Sequence, residues 1–421
     1  MSEICTEEKL NTISRKQTVI KYSGLIDAVS GEVRRWITET GTLPDREDIV
    51  SRTEDVMFSS ELPEDIRVSE IRIVIESAVS RAADKYGILS DLLTDDEINE
   101  IMVNGPQNIF AEKNRKVIGI DDAFTSEDEL EDVIRMFASD VHREINEANP
   151  IVDARLPSGF RVNGVLKSVA LNGPILTIRK FSEEEIRMSD LISTGSITPE
   201  CAEFLSALVK SGYNIFISGG TSSGKTTFLN ALAAAIGKDE RVIIIEDSAE
   251  LRIGHLRNNV HMECRSANSI GKGEVTMTQL IRTSLRMRPD RIIVGEVRGA
   301  EVVDMIQAMN TGHEGSMSTG HGNSIRGMLN RLETMYMMDS SVPVYSVRSQ
   351  IANAIDVFVH LRRDSKGRRG VVEVAELAGL EGNNYVLNYL FKTGTDGELN
   401  PTGSKMKDRE RLIRAGYEEM T

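Results

Sequence analysis

The sequence predicts an α/β protein in which a doubly wound C-terminal domain follows a smaller α+β domain and an N-terminal helical segment. Strand and helix patterns alternate from residue 201 onward, as in a parallel sheet that helices cover on both faces. The run Val242–Ile245 is apolar without a break, which is typical of a strand buried on both faces. A glycine-rich loop at residues 219–226 joins an apolar strand pattern to a helical pattern.

Residues 1–85 are predicted to form a helical segment. Apolar residues recur at helical spacing around Leu25–Ile37 and again around Ile71–Val79. Pro44 and Pro63 punctuate the stretch between them. We interpret the segment as a small helical bundle that packs locally, and an appendage that recruits partners is the alternative.

Residues 86–185 mix short strands and helices and are predicted to form a separate α+β domain. Glu97–Val103 is expected to pass from helix to strand before the turn Asn104-Gly105-Pro106. A hairpin at 109–118, an amphipathic helix at 126–141 and strands at 151–155, 160–166 and 176–181 follow. Residues 186–200, which include Gly195 and Pro199, are predicted to link the two domains.

Residues 201–395 are predicted to form the doubly wound domain. Its expected strands are Asn214–Ser218, Val242–Glu246, Arg291–Gly295 and Ser316–Thr319, with helices that include Thr278–Met287 and Ala300–Asn310. Val357–Arg362 and Val371–Leu377 are expected to form an antiparallel hairpin at the sheet edge. Its turn is basic because of Arg362, Arg363, Lys366, Arg368 and Arg369, and is either solvated or in contact with an acidic partner. Residues 396–421 are predicted to be a polar tail with one short helix.

Composition narrows the classes of function. The net charge of -15 over 421 residues argues against nucleic-acid binding over a broad surface, although not against a local basic channel. Cys5, Cys201 and Cys264 are widely spaced, which suits a reducing compartment and indicates neither a disulfide framework nor a cysteine zinc site. No apolar run approaches the ~18 residues of a membrane span, and the acidic N-terminus lacks a signal-peptide core. We therefore expect a cytoplasmic protein with no direct nucleic-acid partner and no transmembrane segment.

The glycine-rich loop has the phosphate-binding pattern G-x-x-x-x-G-K-[ST] and predicts a nucleoside triphosphate with Mg²⁺. Glycines let backbone N–H groups close around phosphate oxygens, and a helix that begins there adds its positive dipole end. Lys225 is expected to reach the β and γ phosphates, and the Thr226 hydroxyl to hold Mg²⁺. A flexible Gly/Ser turn is the alternative. The predicted binding residues are Gly219, Gly220, Thr221, Ser222, Ser223, Gly224, Lys225, Thr226 and Thr227.

Carboxylates follow two of the apolar strands. The strand at 242–245 ends in Glu246-Asp247, with Glu250 shortly after, and the strand at 292–295 ends in Glu296. Ligands bind beyond the carboxyl ends of parallel strands, so these groups and the loop are expected at one edge. Glu296 is the first candidate to orient or deprotonate water, and Glu246 or Asp247 the second, through Mg²⁺ and its waters. Each carboxylate alone is otherwise a solvated strand end.

Two of the six histidines, His313 and His321, lie in the stretch 311–324. Their spacing is wrong for a helical metal pair and no cysteine is near, which disfavours zinc. His321 ends a strand at the same edge and is expected to sense the γ-phosphate by a hydrogen bond. A structural histidine is the alternative. His313 is placed with the nucleotide-binding residues.

These motifs in this order resemble the secretion ATPases of type IV secretion, type II secretion and type IV pili. They are the phosphate loop, an acidic box at 245–251, the run 288–299 and the two-histidine box. The CpaF-type motors of tight-adherence (Tad/Flp) pili are the branch whose sequences are most similar at residues 310–316 and 321–324. Residues 100–105 and 153–162, further upstream, also resemble that branch. The resemblance covers about residues 86–380. Tyr86–Leu93 departs from the family's Gly-Leu-Gly-Pro-Leu-Glu-like run, and the four-cysteine zinc module of the type II branch is absent from the sequence.

The resemblance implies a RecA-like ATPase domain, a PAS-like N-terminal domain and a homo-hexameric ring with ATP between the domains. It implies that Glu296 is catalytic, that Asp247 and Glu250 belong to the acidic box, and that Arg155, Arg161 and Arg179 meet the phosphates. For Arg155 and Arg161 a surface salt bridge is the alternative. The implied work is pilus assembly or retraction with platform proteins at the inner face of the cytoplasmic membrane. The alternatives are a protein or DNA export motor, a nucleotide-gated scaffold with little turnover, and a DNA-pumping motor. The net charge of -15 disfavours the DNA-pumping motor.

Overall fold

The computed structural model of the chain describes residues 14–41, 44–114, 116–180, 186–265, 267, 272–338, 342–364, 367–394 and 397–420. The chain divides into two compact units, Met1–Glu183 and Glu184–Thr421. Cys5, Phe181 and Lys366, which entered the sequence predictions, lie outside the described residues.

The first unit begins, in its described part, with the helices α1 (Arg15–Lys21), α2 (Ser23–Thr40), α3 (Arg46–Ser59) and α4 (Val68–Ala83). Their core joins Ile26 and Val29 of α2 to Val74 of α4, and all three side chains are fully buried. Burial of one such side chain contributes about 1.5–3 kcal/mol, so the two apolar stripes of the sequence specify the packing. The sequence pattern does not reveal α3, because most of its residues are charged or polar and few, such as Met57, reach the core.

An antiparallel sheet follows in the same unit. Its strands are β1 (Ile98–Asn104), β2 (Ile109–Lys113), β3 (Lys116–Gly119), β4 (Ile151–Arg155), β5 (Arg161–Val165) and β6 (Ile175–Arg179), in the order β3-β2-β1-β6-β5-β4. The short helix α5 (Ser90–Thr94) precedes the sheet, and α6 (Glu127–Asp140) contributes Ile134 and Phe137 to its core. Gly164 of β5 is needed here, because a Cβ would lie 2.6 Å from Ile134 Cγ2. The predicted α+β fold is confirmed.

One local prediction in this unit is wrong. Glu97–Val103 does not pass from helix to strand, because β1 begins at Ile98. The pairing of β1 with β2 shifts between Ile98 and Glu100, and this bulge lets Ile98 and Ile101 both face the core. Apolar residues three positions apart imitate the spacing of a helix in the sequence.

The second unit contains a mixed sheet between two layers of helices. The helices are α7 (Met188–Ser193), α8 (Pro199–Lys210), α9 (Lys225–Ala233), α10 (Met277–Ser284), α11 (Val302–Asn310), α12 (Ile325–Met337), α13 (Val344–Ala354) and α14 (Glu410–Arg414). The strands are β7 (Ile215–Gly219), β8 (Arg241–Glu246), β9 (Asn258–Glu263), β10 (Arg291–Val297), β11 (Met317–His321), β12 (Val357–Arg363), β13 (Arg369–Glu381), β14 (Asn384–Thr393) and β15 (Leu399–Pro401). The strand order is β15-β14-β13-β12-β7-β11-β10-β8-β9.

The two faces of this sheet have separate apolar cores. Leu208 of α8 and Leu232 of α9 belong to one core, and Ile306 of α11 and Leu329 of α12 belong to the other. The six strands from β12 to β9 in that order run parallel, so their carboxyl ends share one edge. The predicted doubly wound α/β arrangement is confirmed, and this edge is where ligands of such sheets bind.

The hairpin of β12 and β13 is antiparallel, as predicted, but it does not form the sheet edge. Strand β12 pairs in parallel with β7, and β14 and β15 extend the sheet beyond β13. Pairing between β7 and β12 joins residues far apart in the chain, and no local pattern encodes it. The sequence shows no alternating apolar pattern for β14, because most residues of this strand are half-buried on both faces.

The residues predicted as a linker and a tail are folded parts of the second unit. Helix α7 lies within 186–200, and Leu191 packs against the core of α8 and α9. Strand β15 and α14 lie within 396–421, where Met406 and Leu412 are buried. Glu376 of β13 holds this segment by accepting hydrogen bonds from the N–H groups of residues 407 and 408. Single apolar residues in a polar stretch form these contacts and leave no periodic signal.

Candidate functional site

The glycine-rich loop lies at the carboxyl end of β7 and leads directly into α9. Ser222 and Gly224 have φ angles of 56° and 92°, which fold the backbone into a compact turn. A Cβ on Gly219 would lie 2.5 Å from Ser223 Oγ and 2.8 Å from the Leu361 carbonyl oxygen, so this position requires glycine. No side chain of the described residues caps α9, so the N–H groups of its first turn are left for an anion.

Lys225 is the first residue of α9, and only 7% of it is exposed. Its Nζ lies 3.8 Å from Glu296 Oε1 of β10 and 3.3 Å from His321 Nδ1 of β11. It also donates to the carbonyl oxygen of Gly220 at 3.3 Å. Burial lowers the pKa of the Lys225 ammonium, although Glu296 opposes this effect. A bound polyanion would therefore stabilise the charged form of the side chain.

Both carboxylate oxygens of Glu296 contact cationic or imidazole side chains. Arg298 donates to Oε2 from Nε at 2.9 Å and from Nη2 at 2.7 Å. His321 Nε2 lies 2.8 Å from Oε1, at ion-pair distance but without the angle of a hydrogen bond. Asp247 joins the group by accepting from Arg298 Nη1 at 3.3 Å. The structure thus brings four sequence-predicted residues together, namely Lys225, Asp247, Glu296 and His321.

Arg298 is the member of this cluster to which the sequence pattern assigns no role. Burial acts to lower the pKa of Arg298, but its hydrogen bonds and charge contacts with Glu296 and Asp247 raise it. A signal was present in the sequence, because Arg298 follows Glu296 by two residues at a strand end. Side chains two apart along a strand point to the same face.

Glu246 is not part of the cluster. Its carboxylate is 3% exposed and accepts hydrogen bonds from the backbone N–H groups of Glu250 and Leu251. His261 of β9 contacts its second oxygen. These contacts hold the turn after β8, which carries Asp247 and Glu250. These contacts favour a supporting role for Glu246 in the acidic turn, and its catalytic role stays a prediction.

His313 also lies apart from the cluster. It precedes β11, whereas His321 ends this strand at the ligand edge, so the length of β11 separates the two histidines. Its Nδ1 lies 3.0 Å from the carbonyl oxygen of Ala308 at the end of α11, and its own carbonyl accepts from Ser316 Oγ. These contacts favour the structural alternative for His313, and its role in nucleotide binding stays a prediction.

The three arginines predicted for the first unit occupy one row of its sheet. Arg155 of β4 is the register partner of Arg161 of β5, which is in turn the partner of Arg179 of β6. Directly opposed residues share a face, and neighbours such as Val162 and Ile178 point to the buried face beneath α6. Arg161 also contacts Asp153 Oδ2 at 3.4 Å. Arg155 donates from Nε to the carbonyl oxygen of Gly159 at 3.4 Å.

The stability of the chain is expected to fall as the pH drops below about 6.5. Burial lowers the pKa of His321 and of His360, whose Nδ1 lies 2.9 Å from Ser218 Oγ. The unfolded chain binds protons on these rings at a higher pH than the folded chain does, so protonation favours unfolding. Melting temperatures at about pH 7.5 and about pH 5.5 check this. The loss on acidification should be smaller for His360→Asn than for the parent, and an equal loss would contradict the assignment.

A family model and individual relatives of known sequence both match this chain over most of its length. Residues 82–386 match the model of the family "Type II/IV secretion system protein". A putative conjugal transfer protein of Mycobacterium tuberculosis is 37% identical over 302 residues, which span 70% of this chain and 85% of that protein. The conjugal transfer protein TrbB of Rhizobium radiobacter is 34% identical over 314 residues, 73% of this chain and 92% of TrbB.

Solved structures show the same fold. The crystal structure of the pilus retraction motor PilT with bound ADP aligns with a TM-score of 0.50 at 19% identity, over 78% of this chain and 86% of that chain. At this identity the likeness concerns the fold alone. None of the helices in the described ranges is long and apolar enough to cross a bilayer.

Proposed function

The chain belongs to the type II/IV secretion system protein family, and from this premise we propose that it hydrolyses ATP with Mg²⁺ to drive a pilus or secretion machine. The observation that carries the proposal is the meeting of Lys225, Glu296, His321 and Arg298 beside an uncapped glycine-rich loop. A phosphate loop alone indicates binding. A strand-end carboxylate next to the phosphate lysine adds a group that positions the attacking water.

The loop residues fit a triphosphate. The N–H groups of the turn and of the first turn of α9 would hold phosphate oxygens, and Lys225 would exchange its contact with Glu296 for the β and γ phosphates. Thr227 lies in the same helical turn and would contact the phosphates from α9. Thr226 and Asp247 would supply oxygen atoms for Mg²⁺ and its waters. When bound, the ion would offset negative charge on the phosphates, and Glu250 lies in the turn that carries Asp247.

Glu296 contacts Lys225, Arg298 and His321. Movement of Lys225 toward the phosphates leaves the carboxylate paired with Arg298 and close to His321. One oxygen would then be available to accept a hydrogen bond from water, and we propose that His321 contacts the terminal phosphate. Preorganised groups of this kind lower the barrier without reorganisation in the transition state.

We propose that the arginine row of Arg155, Arg161 and Arg179 contacts the phosphates of bound ATP. The register supports this, because it places three guanidinium groups side by side on the sheet face opposite α6. Arginine forms paired hydrogen bonds with phosphate oxygens, and the loss of the γ-phosphate would release part of this contact. ATP cleavage would in this way become movement of the first unit within a homo-hexamer.

The work that we favour is assembly, or retraction, of a Tad/Flp-type pilus at the inner face of the cytoplasmic membrane. This preference rests on the resemblance of residues 310–316 and 321–324 to the CpaF-type motors of such pili. Export of protein or DNA is the second candidate, and the conjugal transfer proteins among the relatives favour it. The chemistry at Glu296 is the same in both, so the partner distinguishes them.

Capture of membrane partners tests this choice. The Glu296→Gln chain, loaded with Mg-ATP, is expected to enrich platform proteins of a pilus machine from detergent-solubilised membranes of its host. The Lys225→Ala chain serves as the matched bait that lacks the phosphate lysine. Enrichment of export-channel proteins would decide for the second candidate. Equal recovery with both baits would contradict nucleotide-dependent docking on a membrane platform.

A further inference from the structure

A cavity of about 320 Å³ lies beside the glycine-rich loop within the second unit. Its walls come from the first half of the loop, from the residues after β11 and from the end of β12. Leu361 of β12 and His321 of β11 are both register partners of Gly219. The cavity therefore opens at the carboxyl edge of the sheet, at the small end of the about 300–1,000 Å³ range of ligand pockets.

The cavity is separated from the Glu296 cluster by the loop itself. The strand order β12-β7-β11-β10 places Glu296 two strands from β7 on one side and the end of β12 next to β7 on the other. Gly220 belongs to both places, because it lines the cavity and its carbonyl accepts from Lys225 Nζ. A group bound by Arg362 and Arg363 at the end of β12 would thus lie beside the loop and across β7 from Glu296.

The lining of the cavity has the chemistry of an oxyanion site. Arg362 and Arg363 bring two guanidinium groups, for which the described residues provide no ion-pair or hydrogen-bond partner, and Asn323 and Thr221 add uncharged donors. None of the described residues that line it is Asp or Glu. Arginine binds phosphate oxygens through a planar pair of donors, which makes this lining specific for such an anion.

A buried hydroxyl supplies a second and independent observation. Ser223 is 1% exposed and lines the cavity, and its Oγ has no hydrogen-bond partner among the described residues. A buried polar atom without a partner costs free energy, which a hydrogen bond to a ligand would recover. A phosphate oxygen in the cavity would accept the proton of this hydroxyl.

The wall that carries the arginines is held in place by His360. This residue is buried, contacts Ser218 Oγ of β7, and has a pKa that burial lowers. The imidazole is therefore neutral near pH 7. It fixes β12 against β7, and the two arginines alone supply the positive charge of the cavity.

We propose that this cavity is a second phosphate site, which binds a phosphate group through Arg362, Arg363 and Ser223. The group is inorganic phosphate after ATP cleavage, because the terminal phosphate of bound nucleotide is proposed to lie at Lys225, His321 and Glu296. The role in turnover rests on the proposed ATPase function, whereas the binding of inorganic phosphate does not. A phosphate held here is moved away from Glu296, and the hairpin of β12 and β13 gains a contact that depends on nucleotide state.

Calorimetric titration of the full, ADP-saturated chain with inorganic phosphate tests the site. The Arg362→Gln/Arg363→Gln chain is expected to bind phosphate about ten-fold or more weakly than the parent, because two charge-assisted contacts are lost. Arg368→Gln is the matched control, since this exposed arginine of the same hairpin pairs with Asp364. Its phosphate affinity should equal that of the parent. Each single variant repeats the measurement if the double variant does not fold.

A second arm identifies the source of the phosphate group. A loss of affinity in the double variant for a non-hydrolysable ATP analogue but not for ADP would mean that the cavity holds the terminal phosphate of nucleotide, and would contradict its assignment to released phosphate. Unchanged affinity for both inorganic phosphate and the analogue would overturn the second phosphate site, as would an equal loss in Arg368→Gln. Arginine-dependent phosphate binding without ATP turnover would contradict the proposed function alone. Normal turnover with unchanged affinities would contradict this site alone.

Discussion

Replacement of Glu296 by glutamine is expected to lower kcat for ATP hydrolysis by about 10²–10⁴-fold. The amide keeps the shape of the carboxylate but removes the charge that Arg298 and Lys225 contact and the acceptor strength that positions water. Nucleotide binding depends on the loop and Lys225, and should stay within about ten-fold of the parent, roughly the energy of one such contact. Phosphate release and equilibrium binding of a fluorescent ATP analogue, measured on the same preparation, separate the two effects.

The control for this substitution is Glu381→Gln. This carboxylate is exposed at the end of β13 and has no role in the site, so the change should leave turnover as in the parent. Glu246→Gln gives a second contrast, because it should lower the melting temperature by weakening the turn after β8. A Glu296→Gln chain with parental turnover would refute the catalytic assignment.

Replacement of Arg155 by alanine is expected to lower kcat by about 10³-fold, as the loss of a phosphate-contacting arginine does in related chemistry. The row of Arg155, Arg161 and Arg179 would lose its end member, and the remaining pair would contact fewer phosphate oxygens. The melting temperature should change little, because the loss of the hydrogen bond from Arg155 to the Gly159 carbonyl oxygen is offset by relief of the like charge opposite Arg161. Turnover and thermal unfolding of the purified chain check both statements.

Arg135→Ala is the matched control in the same unit. Arg135 lies on α6 and pairs with Glu131 and Asp132, so its removal should cost at most about 1 kcal/mol of stability and no activity. Arg155→Lys should recover only part of the lost turnover, because an ammonium cannot form the paired contact. Full activity of Arg155→Ala would leave Arg155 a surface residue.

The sequence predicts the loop and the shared edge well, because both follow from local patterns. Neighbouring side chains at a strand end point to opposite faces, so only one of Glu246 and Asp247 can reach Arg298 of the cluster. The phase of the pleat decides which one, and it depends on the pairing of β8 with β10 and β9. His313 and His321 differ likewise by their position at the two ends of β11.

Other features depend on long-range pairing and could not be predicted. Arg155, Arg161 and Arg179 form a row only because of the registers of two hairpins, which turn geometry sets. The cavity beside the loop exists because β12 pairs with β7 and not with a neighbour in the chain. The bulge in β1 buries apolar residues three positions apart, so the sequence of this strand has the spacing of a helix.

The central claim is that this chain cleaves ATP at the site built from the glycine-rich loop and Glu296. Steady-state release of inorganic phosphate by the purified full chain, with ATP in the presence and absence of Mg²⁺, tests it most directly. We expect sustained release that requires Mg²⁺ and is lost in both Lys225→Ala and Glu296→Gln. Nucleotide binding without release above background would instead identify a nucleotide-gated scaffold, and release that persists in both variants would place the reaction elsewhere.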